Sequence, residues 1–512
     1  MAFSLTLLDS TLLLIAVLLL RRIIFRRNRP PLPPGPKALP LVGNVLDMPS
    51  SYEWLTFIDW SKKWGDILSV TLLGQTIVIL GSPKHAFELL EKRSTTYSDR
   101  PILVMCGELM GWDQALALTH YGDRFREYRR LLGRLIGSKA LVKQFHSLIE
   151  QETHRFLSRV LRNPDGVAAH IRNSIGATIL MISYGHKVSL EEGSDPYIDQ
   201  VNEAMEQFTI ASTPGAFLVD ILPVLKYVPA WFPGASFKRK ASAWRKSLLT
   251  TADVPFEDVK KQMDAGTHIE SFTSMNLASE KDELDDAKIH SIKWTAASLY
   301  AGGADTSVSA IYGFFLAMTL FPEAQRKAQE EIDEVIGSDR LPMVEDRDNL
   351  PYVEALVKEV FRFNPVAPLG LPHRVSEDDV YEGYFIPKGT MVLANIWQFL
   401  HDPEVYHDPM NFQPDRFLSK EGHLPERDPR ELCFGYGRRL CPGVHLADVS
   451  VWTSCAMSLA VFDISPVVEN GKVVEVKNEY LSGTVSHPKP FRCTIKPRSP
   501  KADALIRTAE YL

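Results

Sequence analysis

One cysteine of this chain sits in a loop suited to holding charge. Residues 434–443 read Phe434-Gly435-Tyr436-Gly437-Arg438-Arg439-Leu440-Cys441-Pro442-Gly443. Glycines let backbone N–H groups approach a cysteine sulfur, and such donors favour the thiolate, the form that binds metal. A helical pattern near 443–461 begins directly afterwards, and its N-terminal dipole favours the same negative charge. Arg439, two residues before Cys441, can reach an anionic group beside a metal. A single buried cysteine is otherwise just a small hydrophobe. Here F-x-x-G-x-R-x-C-x-G is filled at every fixed position, Phe434, Gly437 and Gly443 included. A second constellation is Gly302-Gly303-Ala304-Asp305-Thr306-Ser307. Adjacent glycines are poor helix residues, so inside a helix they signal close approach to something or a local opening. A carboxylate beside a hydroxyl can deliver protons. Alternatively Thr306 bonds back to a helix carbonyl and Asp305 pairs with a base. A third is Glu359-Val360-Phe361-Arg362. Its spacing of three puts both charges on one helix face, where such pairs are usually solvated.

The elements that must position these groups are mostly helical. Trp54–Trp64 has an amphipathic pattern. Two β-branched runs, 67–73 and 76–80, are broken at Gly74-Gln75 as a hairpin. Ser82-Pro83 supplies the start of a helix through Arg93. Helical patterns follow at 121–137, 140–162, 166–184, 286–319, 322–337 and 351–363. Residues 375–386 and 390–395 read as strands, with strand-like pieces after 461. Residues 262–285 are polar and read as a mobile loop, and the tail after Pro500 shows no pattern. There are no internal repeats.

The chain has 512 residues, 45% hydrophobic and 23% charged, with a net charge of −6. That composition excludes disorder, collagen and coiled coil as the main state. No basic excess points to nucleic acid. Five cysteines are too few for a disulfide scaffold. Residues 3–20 form an apolar run broken by Asp9, long enough to cross a bilayer as a helix. Arg21, Arg22, Arg26, Arg27 and Arg29 follow it and none precedes it, so the positive-inside rule leaves the remaining chain in the cytosol. A monotopic surface helix is the alternative. The resulting division is a membrane anchor and basic stop at 1–29, a proline-rich hinge at 30–50, a catalytic domain at 51–500 and a tail at 501–512.

The cysteine loop resembles the haem-ligand loop of the cytochrome P450 superfamily, and the likeness extends over roughly residues 30–500. It implies a mainly α fold with small β-sheets, here preceded by an N-terminal transmembrane helix. It implies haem b held by an axial thiolate from Cys441, with Phe434, Gly437 and Gly443 shaping the loop. That ligand favours O–O cleavage. Phe412-Gln413-Pro414-Asp415-Arg416-Phe417 matches the family's F-x-P-x-R-F, so the resemblance joins Arg416 to Glu359 and Arg362 in a buried structural triad. It gives Asp305 and Thr306 the relay of protons towards O₂. It makes Arg439, Arg129 and His373 partners of the haem propionates. Phe125 departs from the family's W-x-x-x-R, since a phenyl ring cannot donate the indole hydrogen bond.

The resemblance also sends 98–121 across the substrate pocket, with Met105, Met110, Trp112 and Leu116 either lining it or buried in core. Residues 366–371 and 482–484 are further expected walls. The proline-broken apolar run within 205–235 either dips into membrane lipid or packs as a loop. Arg126, Arg130 and Arg134 share one helical stripe, suited to an acidic reductase or to solvent. The finer likeness is to fungal, especially basidiomycete, secondary-metabolism members. Together these imply a monooxygenase that takes electrons from NADPH through a separate cytochrome P450 reductase, with cytochrome b5 as an optional second donor. It would hydroxylate a small lipophilic terpenoid, polyketide or aromatic/indolic compound, as a single-pass protein of the endoplasmic reticulum membrane. The rivals are a reductase-independent haem-thiolate isomerase or dehydratase, and a non-enzymatic haem sensor or lipophile carrier.

Overall fold

The computed structural model describes residues 29–188, 195–213, 215–279, 284–419, 422 and 424–508. The expected N-terminal anchor lies outside them. Among the described residues, the single helix apolar and long enough to cross a membrane is Val444–Val461, which is largely buried as a core helix.

Helices form the bulk of the molecule around a central helix, Asp286–Leu320. Asp285 caps its start by accepting from the Lys288 N–H at 2.8 Å. The helix continues unbroken through the paired glycines. A Cβ on Gly303 would come within 2.9 Å of Ile179, on the neighbouring helix Val167–Tyr184, so that glycine is required for close packing. A Cβ on Gly302 would meet nothing, because that residue faces an open cavity. The helix Asp123–Ile136 shows the amphipathic logic plainly. Phe125, Tyr128, Leu131, Leu132 and Leu135 are buried, while Arg126, Arg130 and Arg134 face solvent.

A four-stranded sheet lies to one side, in the order Ile67–Leu72, Gln75–Leu80, Met391–Ala394, His373–Arg374. The first pair is antiparallel, the second parallel and the third antiparallel. This pairing sets His373 opposite Val392. The proline segment is fastened along the first strand: Ser69 N–H donates to Pro34 O at 2.8 Å and Ser69 Oγ to Pro33 O at 2.6 Å.

Several sequence expectations need correction. The 82–93 helix is α only over Pro83–Ala86 and widens over Phe87–Lys92, where Arg93 N–H reaches back five residues to Glu88 O. The 140–162 helix is interrupted at Lys143–Phe145. The expected 375–386 strand breaks into the hairpin Asp379–Tyr381 and Tyr384–Ile386, because Glu382 and Gly383 both take positive φ in a tight turn. Residues 262–285 are not one loop. They hold the end of a long helix, Ser236–Asp264, and a short helix, Phe272–Ser279, pinned by buried Phe272 and by Thr273 donating to Ser183 O. The tail forms the helix Pro500–Arg507, capped by Ser499 and anchored through buried Ile506. The helices Pro196–Ser212 and Ser236–Asp264 were not anticipated at all.

Glu359, Arg362 and Arg416 meet in the interior with side chains 0–2% exposed. Arg362 grips Glu359 with two bonds, of 2.7 and 2.8 Å, and Arg416 Nε lies 3.2 Å from the same carboxylate. Gln413 N–H adds a fourth donor at 2.8 Å. Arg362 also donates to the carbonyls of Leu400, Pro409 and Asn411, and Arg416 reaches Glu426. One carboxylate thereby ties helix Pro351–Phe363 to the segment that precedes the cysteine loop. Glu359→Ala should leave buried Arg362 without its counter-charge and Arg416 with Glu426 alone, and lower stability by about 3–5 kcal/mol. Thermal unfolding checks this; a midpoint equal to that of the unsubstituted protein would contradict it.

Candidate functional site

The cysteine loop is held by backbone geometry. Gly437 has φ +53°, and a Cβ there would lie 2.5 Å from Leu90 O, so the loop can seat against the 87–92 turn only with glycine. Gly435, at φ +83°, is the other left-handed position. Cys441 N–H then donates to Phe434 O at 2.8 Å and closes the loop. Phe434 packs edge-on against Phe361, next to the Glu359–Arg362 pair. Gly443 starts the helix Val444–Val461, and its N–H points at the Cys441 sulfur.

These residues line one wall of a cavity of about 360 Å³. Cys441, Phe434, Gly443, Arg439, Arg129, His373 and Thr306 all border it. Five predicted site residues do not: Gly437, whose role is packing, Asp305, and the structural triad Glu359, Arg362 and Arg416. Burial pushes the Cys441 thiol up despite the opposing pull of Gly443 N–H and Arg129. The expected donors are therefore present, but desolvation outweighs them. A thiolate at this place needs a cation facing it, which a coordinated metal supplies.

The cationic side of the cavity is built from distant segments. Arg439 donates to Ser98 O at 2.7 Å and to Thr119 O at 2.8 Å. Its Nη1 is buried without a partner, and desolvation lowers the group to about 10. Its guanidinium carbon sits 3.9 Å from the centroid of the Phe125 ring. The residue that departs from the family pattern is thus the platform under this arginine, a cation–π contact. Tyr121 extends the platform: it lies 5.5 Å from Phe125 and accepts from Arg438 at 2.6 Å. Arg129 donates to Leu440 O at 2.6 Å, directly before the cysteine.

His373 Nδ1 is 2.7 Å from Tyr97 O, and burial drives the imidazole down to about 3, leaving it neutral. Its neighbour Arg100 was not anticipated. It is buried, borders the cavity and donates to the carbonyls of Ala117, Leu371 and Pro372. Nothing in the tetrapeptide Ser98-Asp99-Arg100-Pro101 marks it, since its partners come from other segments. Three guanidiniums with an orphaned buried donor, bordering the same cavity as the Cys441 thiol, form a donor set that fits a metalloporphyrin carrying two carboxylates.

On the distal side, Thr306 Oγ1 donates to Gly302 O at 2.8 Å, the back-bonded alternative. Asp305 Oδ1 is 3.0 Å from His487 Nε2. His487 also went unnoticed in the sequence, because it lies in an irregular C-terminal segment. Trp112 and Leu116 line the cavity, whereas Met105 and Met110 are buried in the main core. Val366, Ala367, Leu369, Gly370, Leu371 and Thr484 also border it; Ser482 and Gly483 do not. In the 205–235 region Leu218, Val224, Tyr227, Trp231 and Phe232 are exposed rather than packed. On the arginine stripe, Arg126 pairs with Asp123 and Arg130 with Glu127, and Arg134 is exposed.

Comparison with known proteins agrees with this geometry. The family model Cytochrome P450 matches residues 33–495. Cytochrome P450 monooxygenase 208 of Postia placenta is 55% identical over 500 residues, covering 97% of this chain and 96% of its own length. Cytochrome P450 monooxygenase claR of Ampulloclitocybe clavipes is 48% identical, covering 98% and 93%. A tryptamine 4-monooxygenase of Psilocybe cyanescens is 42% identical, covering 93% and 94%.

The aromatic platform yields a prediction. Phe125→Leu removes the ring under Arg439, a contact worth about 0.5–2 kcal/mol. Loss of the bound porphyrin to a competing apoprotein should accelerate accordingly, while Phe125→Trp should hold it at least as well as Phe125. Equal rates for Phe125→Leu and the unsubstituted protein would remove the platform from the account.

Proposed function

The chain belongs to the cytochrome P450 monooxygenase family, and from that premise we propose that it hydroxylates a small, neutral, lipophilic secondary metabolite with O₂ and electrons from NADPH. Family membership carries haem with a thiolate ligand and electrons supplied by a reductase. Bound at this site, haem b supplies the oxygen activation. Cys441 would ligate its iron through sulfur, and Phe434, Gly437 and Gly443 would keep that sulfur in place. Arg439 and Arg129 hold the propionates, with Arg100 beside them. Neutral His373 gives its Nδ1–H to Tyr97 O, so it would donate to a propionate from Nε2 only on gaining a second proton, which that carboxylate would favour. Glu359, Arg362 and Arg416 lock the loop from behind. Asp305 and Thr306 handle protons on the distal side. Their presence favours oxygenation over reductase-independent isomerisation or dehydration, and over a sensor or carrier.

The observation that carries the substrate class is the wall of the cavity. Its distal part is Trp112, Leu116, Ile179, Phe208, Leu299, Val366 and similar side chains, with a few hydroxyls. Among the described residues, every charged side chain bordering it is an arginine, and no Asp or Glu does. An apolar wall rewards burial of a lipophile. A protonated amine would enter without a counter-charge, which is costly in such surroundings. The relative from Psilocybe cyanescens bears the name of an amine oxygenase; the cavity wall here favours the terpenoid, polyketide or neutral aromatic classes.

An anchor at 1–29 would hold the domain at the endoplasmic reticulum, and the exposed apolar run 218–232 suits contact with lipid. The arginine stripe is the proposed docking face for the acidic reductase, and for cytochrome b5.

A matched pair of probes tests this reading. With reductase, NADPH and ¹⁸O₂, 3-ethylindole and tryptamine differ chiefly in charge. The neutral compound should bind at least about tenfold more tightly, equivalent to about 1.4 kcal/mol, and any product should carry one labelled oxygen. Tighter binding of tryptamine would overturn the neutral-substrate assignment.

A further inference from the structure

The central helix presents a polar stripe to the C-terminal segment that follows residue 479. Asp305, Ser309 and Gly313 are spaced by four, so they share one helix face. Asp305 meets His487 Nε2 at 3.0 Å. Ser309 Oγ donates to Ser486 O at 2.5 Å. A Cβ on Gly313 would lie 3.7 Å from the Tyr480 hydroxyl. Two atoms along this seam are buried without a hydrogen-bond partner: His487 Nδ1 and Tyr480 OH. Unpartnered buried polar atoms this close to a solvated rim call for water. The Asp305 and His487 side chains are only 12% and 14% exposed, and Asp305 does not border the cavity whereas its neighbour Thr306 does.

We propose that His487 is the positioning and proton-loading residue for Asp305, so that protons reach the distal groove along this seam. The inference rests on the monooxygenase reading above. The proposed cycle starts from His487 carrying a proton on Nε2 as well as on Nδ1, so that its contact with the Asp305 carboxylate keeps Asp305 turned away from the cavity. Transfer of the Nε2 proton to Oδ1 converts the pair to neutral imidazole and carboxylic acid. The charge attraction that holds the acid outwards then disappears, and Asp305 can turn towards Thr306 and give up the proton. Nδ1 keeps its proton throughout and donates to water, while Nε2, left bare when Asp305 turns inwards, takes a proton from solvent; the carboxylate then returns to the imidazolium, so each cycle moves one proton inwards and restores the pair. Anchoring of the segment does not depend on this contact, because Ser309 already binds Ser486 O.

His487→Gln separates proton transfer from structure, since a glutamine amide can donate to Asp305 but cannot titrate. The holoenzyme is driven by reductase and NADPH without substrate, and peroxide released per NADPH is measured in H₂O and D₂O. His487→Gln should keep its haem and its carbon monoxide spectrum, raise peroxide per NADPH several-fold and enlarge the solvent isotope effect. Asp305→Asn should give the same defect, and the double variant no more than either alone. Independently of turnover, ¹⁵N-histidine NMR of the reduced, carbon monoxide-bound holoenzyme should show the His487 Nε2 proton downfield, and Asp305→Asn should move it upfield. Unchanged peroxide yield and isotope effect in haem-replete His487→Gln would overturn the proposal. Should that variant lose haem, unchanged values in Asp305→Asn would overturn it equally. An unsubstituted holoenzyme that consumes no NADPH would instead defeat the monooxygenase reading.

Discussion

Positive charge held inside the protein, with Asp99 nearby but no carboxylate in hydrogen-bond contact, is the constraint from which the site follows. Arg100, Arg129 and Arg439 border one cavity, and among the described residues none of them hydrogen-bonds to a carboxylate. They are held by main-chain carbonyls from four separate segments: 97–100, 117–119, 371–372 and the cysteine loop. Burial of guanidinium is tolerable only when its donors are filled. Arg439 Nη1 is buried without a partner, and the remaining donor capacity of these cavity-bordering arginines is best met by an anion carried in by a ligand. The Cys441 thiol, which lines the same cavity, poses the complementary demand, for a cation. A porphyrin with a central metal and two carboxylates answers both at once, so the cofactor is part of what stabilises this arrangement of loops.

The rest of the fold supplies rigidity where that balance requires it. The Glu359 carboxylate, shared by two guanidiniums and a backbone N–H, stiffens the approach to the cysteine loop. Gly437 lets the loop dock on the Leu90 carbonyl, and the small edge strand carries His373 to the cavity. Gly302 and Gly303 divide their work on the central helix. One keeps the cavity open and the other lets the Val167–Tyr184 helix approach. Phe125, which lacks a hydrogen-bond donor, instead bears the guanidinium of Arg439, a residue that borders the cavity.

What was legible in the sequence is what is local in the chain. The Cys441 loop, the Glu359–Arg362 spacing, the glycine pair and the amphipathic Asp123–Ile136 helix each lie within 14 residues of chain, and their chemistry could be read directly. Arg100 and His487 could not. Each acts through partners about 180 to 270 residues away in sequence, and neither sits in a periodic segment. The helix Ser236–Asp264 was hidden by Pro255 within it, and the Phe272–Ser279 helix by polar residues that turn out to be bonded internally. Trp112 and Leu116 versus Met105 and Met110 make the same point: one apolar stretch divides between cavity wall and core, and composition alone does not sort them.

The central claim is that Cys441 ligates haem iron as a thiolate in a cavity whose arginines bind the propionates. A carbon monoxide difference spectrum of the reduced, membrane-expressed protein tests it most directly. The account predicts a strongly red-shifted Soret band for the unsubstituted chain and its loss in Cys441→Ser. A band at the shorter wavelength of a neutral-ligand haem, or the same red-shifted band in Cys441→Ser, would contradict it.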